Sequence, residues 1–391
     1  MPRSRLEFAD EIGIPPLGAA ECTEEERRRI MVGRPSVEIP RSPCTGSAVW
    51  RGPELAHSRA WEWHLAPAQL DELDAALQAV RVRGTPLLRI TADRFPVPGL
   101  ASQLACMAEE LEYGRGFVLV RRIPVERPGL AAAGVLLWGL GRHLGIPVSQ
   151  NATGHMLGHI EDTHEVRAAR PFHTDEADML ALLCLRNDGS GGHAALASSA
   201  AVHNTVLARR PELIGGLYRT HFLDRLGEQA PGQRPCHAVP LAHRGLERFS
   251  LRYDRHRLES AQRFPDVPRL TPGDLELFDH IDGSAASPEL RLDLALAPGD
   301  LLLVNNHAVL HSLTTSESTT GPGARFHALR LWLTPHRPRE LPPEFWGDAH
   351  SPAGGRGGVA PRDVITPQTP TTRKPHDRPV RTPGPIRPVP R

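Results

Sequence analysis

The segment PFHTD at residues 171–175 and the segment PGDLLLVNNHAVLHS at residues 298–312 indicate the fold class and chemistry of this chain. In a strand, residues i and i+2 point to the same side, so His173 and Asp175 would aim an imidazole and a carboxylate at one point. A second histidine from the later segment can complete the set; spacing alone does not choose between His307 and His311. Two histidines and one carboxylate leave about three coordination positions open on Fe(II). The sequence therefore predicts a non-haem iron centre.

Short apolar runs with the length of strands surround both segments. Met179–Leu185 follows the first segment, Leu301–Val304 lies inside the second, and Phe326–Leu333 comes after it. Helical spacing of leucines predicts a helix over 70–80, and a turn at Pro298-Gly299-Asp300 leads into the second run. Short strands separated by helical segments are typical of an all-β core, a jelly roll, with flanking helices.

Composition divides the chain into three parts. Residues 1–60 are rich in Pro, Arg and Glu and predict an irregular N-terminal extension, whereas 61–336 carry the apolar periodicity of one domain. Residues 337–391 are rich in Pro, Gly, Arg and Thr with almost no apolar spacing. Such a segment buries too little surface to offset its ordering entropy, so we expect a disordered tail. A peptide that docks on a partner is the alternative.

The overall charge and the cysteines limit the class of partner. The net charge of +1 favours neither nucleic acid nor an anionic membrane, and a small-molecule partner is expected instead. The longest apolar stretch, residues 129–141, is too short to span a bilayer. The five cysteines show no paired spacing, which favours a reducing compartment. We expect a cytoplasmic protein, and the sequence does not indicate its oligomeric state.

Several segments in order resemble one family. PFHTD at 171–175, GG…ASS at 191–199, PGDLLLVNNHAVLHS at 298–312 and FHALRLWL at 326–333 look like the taurine dioxygenase-like family of Fe(II)/2-oxoglutarate-dependent oxygenases, including its clavaminate synthase-like branch. The similarity covers roughly residues 60–340. It implies a double-stranded β-helix in which His173, Asp175 and His311 bind the metal.

The resemblance also implies a reaction. The family uses Fe(II), 2-oxoglutarate and O₂, converts 2-oxoglutarate to succinate and CO₂, and oxidises an unactivated carbon of a second substrate. We expect hydroxylation or desaturation of a small molecule, amino-acid-like or a natural-product intermediate. Asp175 fills the position that halogenases leave to a halide, which disfavours halogenation.

The residues that bind 2-oxoglutarate depart from the family pattern. The family's last strand usually carries two arginines four residues apart; the second matches Arg330, but the first falls on Phe326, and an expected Ser/Thr falls on Ala194. Three alternatives remain open. A bulge or a late strand start turns Arg325 inward, or Arg330 takes over together with Ser198 or Ser199, or the chain is a non-catalytic or 2-oxoglutarate-independent metal-binding member that acts through ligand or partner binding.

A histidine-rich segment precedes the first motif. His155, His159 and His164 lie in GHMLGHIEDTH and suggest a second metal site. The resemblance instead implies that this segment is a loop over the active site, and this is the better interpretation.

Overall fold

Two sheets and a set of helices form the architecture. The computed structural model describes residues 39–125, 129–161, 171–188, 193–245, 248–314, 326–346 and 356–362, and every structural statement below refers to these residues. Residues Pro40–Arg391 cluster as one compact unit, and the other unit, Met1–Ile39, lies almost wholly outside the described residues.

The larger sheet carries the predicted core strands. Its members are β1 (Glu62–His64), β2 (Phe117–Arg121), β3 (Gly145–Val148), β4 (Leu157–Glu161), β5 (Met179–Asn187), β12 (Leu301–Asn305) and β14 (Phe326–Pro335). The order is β1-β2-β12-β5-β14-β3, and β4 also pairs with β14. Strands β1 and β2 run parallel, and the other pairs are antiparallel.

The smaller sheet lies beside the first motif. It has the order β11-β6-β13, where β6 is His193–Ser198, β11 is Leu292–Ala295 and β13 is Val309–Thr314. Two hairpin-like pairs complete the strands: β7 (Thr220–Asp224) with β8 (Cys236–Pro240), and β9 (Ala242–Arg244) with β10 (Phe249–Leu251). The predicted all-β core with flanking helices is confirmed.

Helices cover the outer faces of both sheets. They are α1 (Gly52–Ser58), α2 (Pro67–Val82), α3 (Ala101–Tyr113), α4 (Gly129–Leu144), α5 (Ser199–Arg209), α6 (Arg255–Ser260), α7 (Pro272–Ala286) and α8 (Pro343–Trp346). The segment Ile214–Leu217 is only a 3₁₀ turn, because Gly215-Gly216 weakens helix formation there. Among the helices that the structure describes, none combines the length and the apolar character needed to cross a bilayer.

Strand β14 shows how the core is divided. Phe326, Ala328 and Trp332 belong to the apolar cluster between the two sheets. Leu329 and Leu331 belong to the cluster under helices α2, α3 and α4. This alternation, two residues per repeat, is what a strand buried on both faces requires.

The prediction for the N-terminal extension needs correction between residues 39 and 60. Helix α1 lies there, Trp50 is buried, and the Gly52 N–H donates to the Leu290 carbonyl at 3.1 Å. The Trp50 Nε1–H also donates to the Arg115 carbonyl at 2.9 Å. A large indole with a satisfied N–H anchors this segment although its neighbours are polar. Residues 1–38 lie outside the described part.

The prediction of an unpacked tail after residue 336 is wrong for residues 337–346 and 356–362. Phe345 and Trp346 are buried, and Arg339 donates to Glu112 at 2.9 Å. These apolar side chains and buried arginine contacts stabilise the packing of the segment, which its overall composition does not predict. Residues 347–355 and 363–391 lie outside the described residues.

Candidate metal centre

Three side chains predicted to bind metal converge between the sheets. His173 and His311 exchange two backbone hydrogen bonds of 3.0 Å, which brings the first motif against strand β13. Asp175 Oδ1 lies 3.8 Å from Nε2 of His173, and Oδ2 lies 3.6 Å from Nε2 of His311. One ligand atom from each residue lies within 4.8 Å of the others, and all three residues are buried.

The imidazole of His173 has a defined orientation. Its Nδ1 lies 2.8 Å from the Pro171 carbonyl oxygen. A carbonyl only accepts, so Nδ1 carries the proton and Nε2 keeps its lone pair for a metal. His311 is oriented by its strand, and its buried Nδ1 has no hydrogen-bond partner among the described residues. Nε2 of both imidazoles is therefore the atom facing the carboxylate.

Asp175 is fixed as an ionised carboxylate. Trp332 Nε1–H donates to its Oδ2 at 3.0 Å, and the Asp175 N–H donates to Asn306 Oδ1 at 3.2 Å. Burial raises the pKa of Asp175, but the hydrogen bond and charge of His311, with Arg330 and His173, hold that pKa well below its usual range. Two imidazoles and one carboxylate form a donor set that fits Fe(II) and leaves positions open.

His307 is separated from these three residues. Its Nε2 lies 2.6 Å from Asp178 Oδ1, and Arg356 donates to the same oxygen at 2.6 Å. The rings of Phe345 and Trp346 lie 5.8 and 5.4 Å from its own. Burial lowers the pKa of His307 although Asp178 opposes this. His307 is thus part of a structural network that ties the second motif to the C-terminal segment.

A cavity of about 190 Å³ opens beside Asp175. Its lining includes side chains of both signs of charge. The positive ones are Arg257 and Arg330, and the negative ones are the carboxylates of Glu176, Glu228 and Asp254. Such a cavity, with few apolar walls, suits a small polar molecule with charges of both signs.

Arg330 is the predicted co-substrate residue that reaches this cavity. Its Nε donates to Gln150 Oε1 at 2.7 Å, and its guanidinium carbon lies 4.8 Å from the ring centre of Trp332. Gln150 is itself held by the Met156 and Arg330 carbonyls at 3.0 and 2.8 Å. The guanidinium therefore has a fixed position near Asp175.

The other two predicted co-substrate residues are not brought there. Ser198 begins helix α5: its hydroxyl accepts from the Ala201 N–H at 2.9 Å and donates to the Ala48 carbonyl at 2.5 Å. It does not line the cavity, because its hydroxyl is committed to the helix cap. Arg325 lies outside the described residues.

A register shift occurs between His327 and Ala328, and its extra residue is on the neighbouring strand. His327 pairs with Arg186 and Ala328 with Cys184, so Leu185 of β5 is the extra residue. Strand β14 keeps its regular alternation, which puts Phe326 on the same face as Ala328. This bulge on β5 does not change the direction of the β14 side chains. The alternative in which Arg325 turns inward falls on a residue outside the described part and stays a prediction.

Sequence reasoning missed the polar lining of the cavity. Asp254 and Arg257 begin helix α6, and their side chains approach within 3.6 Å. Glu228 accepts from the Ala152 N–H in a short hydrogen bond. These residues are distant in sequence from both motifs, and no spacing in the chain links them.

Comparison with known proteins identifies a family. The model of the taurine catabolism dioxygenase TauD, TfdA family matches residues 83–332. FR-33289 synthase of Streptomyces rubellomurinus is 28% identical over 337 residues, which are 80% of this chain and 97% of that protein. The taurine hydroxylase-like protein SAT17 of Stachybotrys chartarum is 25% identical, over 72% of this chain and 77% of its own length.

Solved structures with the same fold are more distant in sequence. Asparagine oxygenase in complex with Fe(II), 3-hydroxyasparagine and succinate matches with a TM-score of 0.56 and 16% identity, over 70% of this chain and 93% of the other. The non-heme iron oxygenase OrfP in complex with Fe and alpha-ketoglutaric acid matches with a TM-score of 0.54 and 18% identity, over 70% and 93%. The protein belongs to the TauD, TfdA family and is an Fe(II)/2-oxoglutarate-dependent oxygenase that acts on a small molecule.

Proposed function

We propose that His173, Asp175 and His311 hold the Fe(II) of this oxygenase. The observation that carries the proposal is the convergence of their ligand atoms within 4.8 Å. The bond from Nδ1 of His173 to Pro171 and the bond from Trp332 to Asp175 fix two of the three ligands before the metal arrives. Ligands fixed in this way need little reorganisation on binding.

Bound iron supplies the activation of O₂, coupled to conversion of 2-oxoglutarate to succinate and CO₂. The chain contributes an ionised Asp175, because its pKa is held well below the usual range. It also contributes a buried surrounding: the three ligands and Trp332 are each less than a tenth exposed. Exclusion of water protects a reactive site from side reactions.

We propose that Arg330 binds the far carboxylate of 2-oxoglutarate. A guanidinium can donate two parallel hydrogen bonds to a carboxylate. Trp332 and Gln150 fix its position beside Asp175. Phe326 and Ala194 are both buried in the apolar cluster between the sheets, so neither adds a hydrogen bond to that carboxylate.

The second substrate is an amino-acid-like molecule in this proposal. Asp254 and Glu228 can face its ammonium group, and Arg257 its carboxylate, in the cavity next to the iron ligands. Two solved relatives of the same fold bind 3-hydroxyasparagine and L-Arg, respectively. Hydroxylation of such a molecule is the expected reaction.

We place this reaction in the cytoplasm. Cys44, Cys106, Cys184 and Cys236 are unpaired. Free thiols and Fe(II) are both maintained in a reducing compartment.

The test is turnover with defined substrates. Purified protein with Fe(II), O₂ and 2-oxoglutarate is incubated with a panel of L-amino acids, their N-acyl forms and their amides, and succinate and hydroxylated product are measured. We expect product with at least one free amino acid, loss of it in Asp175→Ala, and retention in Arg89→Ala, an exposed arginine far from the site. Stimulation only by molecules lacking the ammonium group would contradict the proposed substrate class.

A further inference from the structure

A second group of metal-ligating side chains lies on the other face of the larger sheet. His159 and Glu161 are on strand β4, and His327 is on β14 directly opposite Glu161. Leu329, opposite His159, belongs to the cluster under the helices, whereas Gly158 faces Gln150 and Arg330. The three ligand-type residues therefore share the outer face, away from Asp175.

Their ligand atoms have the spacing of a metal site. Nδ1 of His159 lies 2.9 Å from Nε2 of His327, which lies 3.3 Å from Oε1 of Glu161. Nitrogen and oxygen atoms bound about 2.0–2.1 Å from a tetrahedral Zn²⁺ are roughly 3.3 Å apart. A shift of a few tenths of an ångström in one ring suffices to admit an ion.

Burial and charge also suit a divalent ion. The His327 side chain is 11% exposed and that of Glu161 41%, so one side remains open to water. Arg186, paired with His327 across β5, is exposed.

We propose that His159, Glu161 and His327 form a second divalent-metal site, separate from the iron centre, with water as a further ligand. Two imidazoles, one carboxylate and an open position suit Zn²⁺ and the neighbouring late first-row ions.

The site links two strands that support the cavity. The metal would join edge strand β4 to the beginning of β14, three residues before Arg330. Gln150 contacts both Arg330 and the Met156 carbonyl just before β4. An ion at the outer site therefore stabilises the strand pair that positions Arg330, without contact with the reacting molecules.

Metal counting tests the proposal. Wild-type protein, Asp175→Ala, Glu161→Gln and the double variant are stripped with a chelator, dialysed against Zn²⁺, and analysed by inductively coupled plasma mass spectrometry. We expect about two equivalents per chain in the wild type, about one in each single variant, and none in the double variant. His155→Ala is the matched control, because His155 bonds Asn151 in the same segment and is outside the group; it should keep both equivalents.

Cobalt gives a second readout. Co²⁺ bound to the Asp175→Ala variant should show visible d–d absorption. The double variant that also carries Glu161→Gln should lack this absorption. Glu161 is partly exposed, so this substitution preserves the fold even where His327→Ala does not. Equal zinc content in the wild type and in folded Glu161→Gln, or no metal in folded Asp175→Ala, would overturn the second site and leave the histidines as a hydrogen-bonded pair.

Discussion

Two histidines four residues apart in the second motif have different chemical surroundings. His311 faces Asp175, whereas His307 bonds Asp178 at 2.6 Å. The difference follows from their elements, since His311 lies on strand β13 and His307 lies in the turn before it. Spacing gives both residues equal standing and the resemblance favours His311; His311 as the metal ligand remains a proposal, consistent with its position facing Asp175.

Arg330 carries the first prediction at this scale. Arg330→Ala should weaken 2-oxoglutarate binding about ten- to a hundredfold, because a charged hydrogen bond contributes roughly 1.5–3 kcal/mol. Arg330→Lys keeps the charge but loses the planar pair of donors. Its affinity for 2-oxoglutarate should therefore lie between those of the wild type and Arg330→Ala. Isothermal titration with the iron-loaded protein under anaerobic conditions measures this. Wild-type affinity in Arg330→Ala would show that another residue, such as Arg325, binds the far carboxylate.

At the scale of elements, residues 356–362 are a C-terminal strap across the loops beside the proposed iron ligands. The Gly358 N–H donates to the Glu176 carbonyl, the Val359 N–H to the Ser149 carbonyl at 2.9 Å, and Arg356 to buried Asp178. Gly358 has φ of 73°, and a Cβ there would meet the Ser149 oxygen at 2.8 Å. The strap depends on backbone bonds and single arginines, so hydrophobic periodicity in the sequence does not indicate it.

Two truncations test the strap. Ending the chain after Ala349 removes the Arg356 partner of Asp178 and leaves a buried carboxylate short of its cation, at a cost of about 3–5 kcal/mol. We expect the melting temperature to fall by roughly 5–15 °C. Ending it after Arg362 keeps the strap and should change the melting temperature by no more than about a degree or two. Similar melting temperatures for both truncated proteins, measured by calorimetry, would count against a stabilising strap.

At the scale of the whole molecule, the described core has one apolar layer between the sheets and further layers under the helices. The sequence indicates most of the strands that form it. The apolar runs Met179–Leu185, Leu301–Val304 and Phe326–Leu333 became strands β5, β12 and β14 with ends one or two residues further on. The three candidate metal ligands follow from the sequence through the resemblance, whereas His173 forms only an isolated bridge and Asp175 is not in a strand. The polar lining of the cavity could not be predicted from the sequence, because Glu228 and Arg257 meet only through tertiary packing.

Buried histidines make the stability of the whole molecule depend on pH. Burial lowers the pKa of His203 and of His221 to about 4. In the unfolded chain both histidines have the ordinary pKa of about 6.5. The unfolded chain therefore binds more protons than the folded state between pH 6.5 and 4. The free energy of unfolding should therefore fall as pH falls through this window, by up to about 3 kcal/mol per histidine.

Urea unfolding at several pH values measures this dependence. His221→Gln, whose amide can still donate to the Gly216 carbonyl, should reduce the fall in stability between pH 6.5 and 4. His256→Gln, at an exposed position, is the control and should keep the wild-type pH dependence. An identical pH profile for His221→Gln and wild type would contradict the account of these buried rings.

The identity of the iron ligands is tested most directly by anaerobic titration of Fe(II) in the presence of 2-oxoglutarate. The weak visible absorption of the iron–2-oxoglutarate chelate reports this centre and not the outer site. Wild type and His307→Gln, whose amide can still bond Asp178, should develop the band with about one equivalent of iron, while His311→Gln and Asp175→Ala should not. A band that persists in His311→Gln and disappears in folded His307→Gln would contradict the assignment of the metal centre.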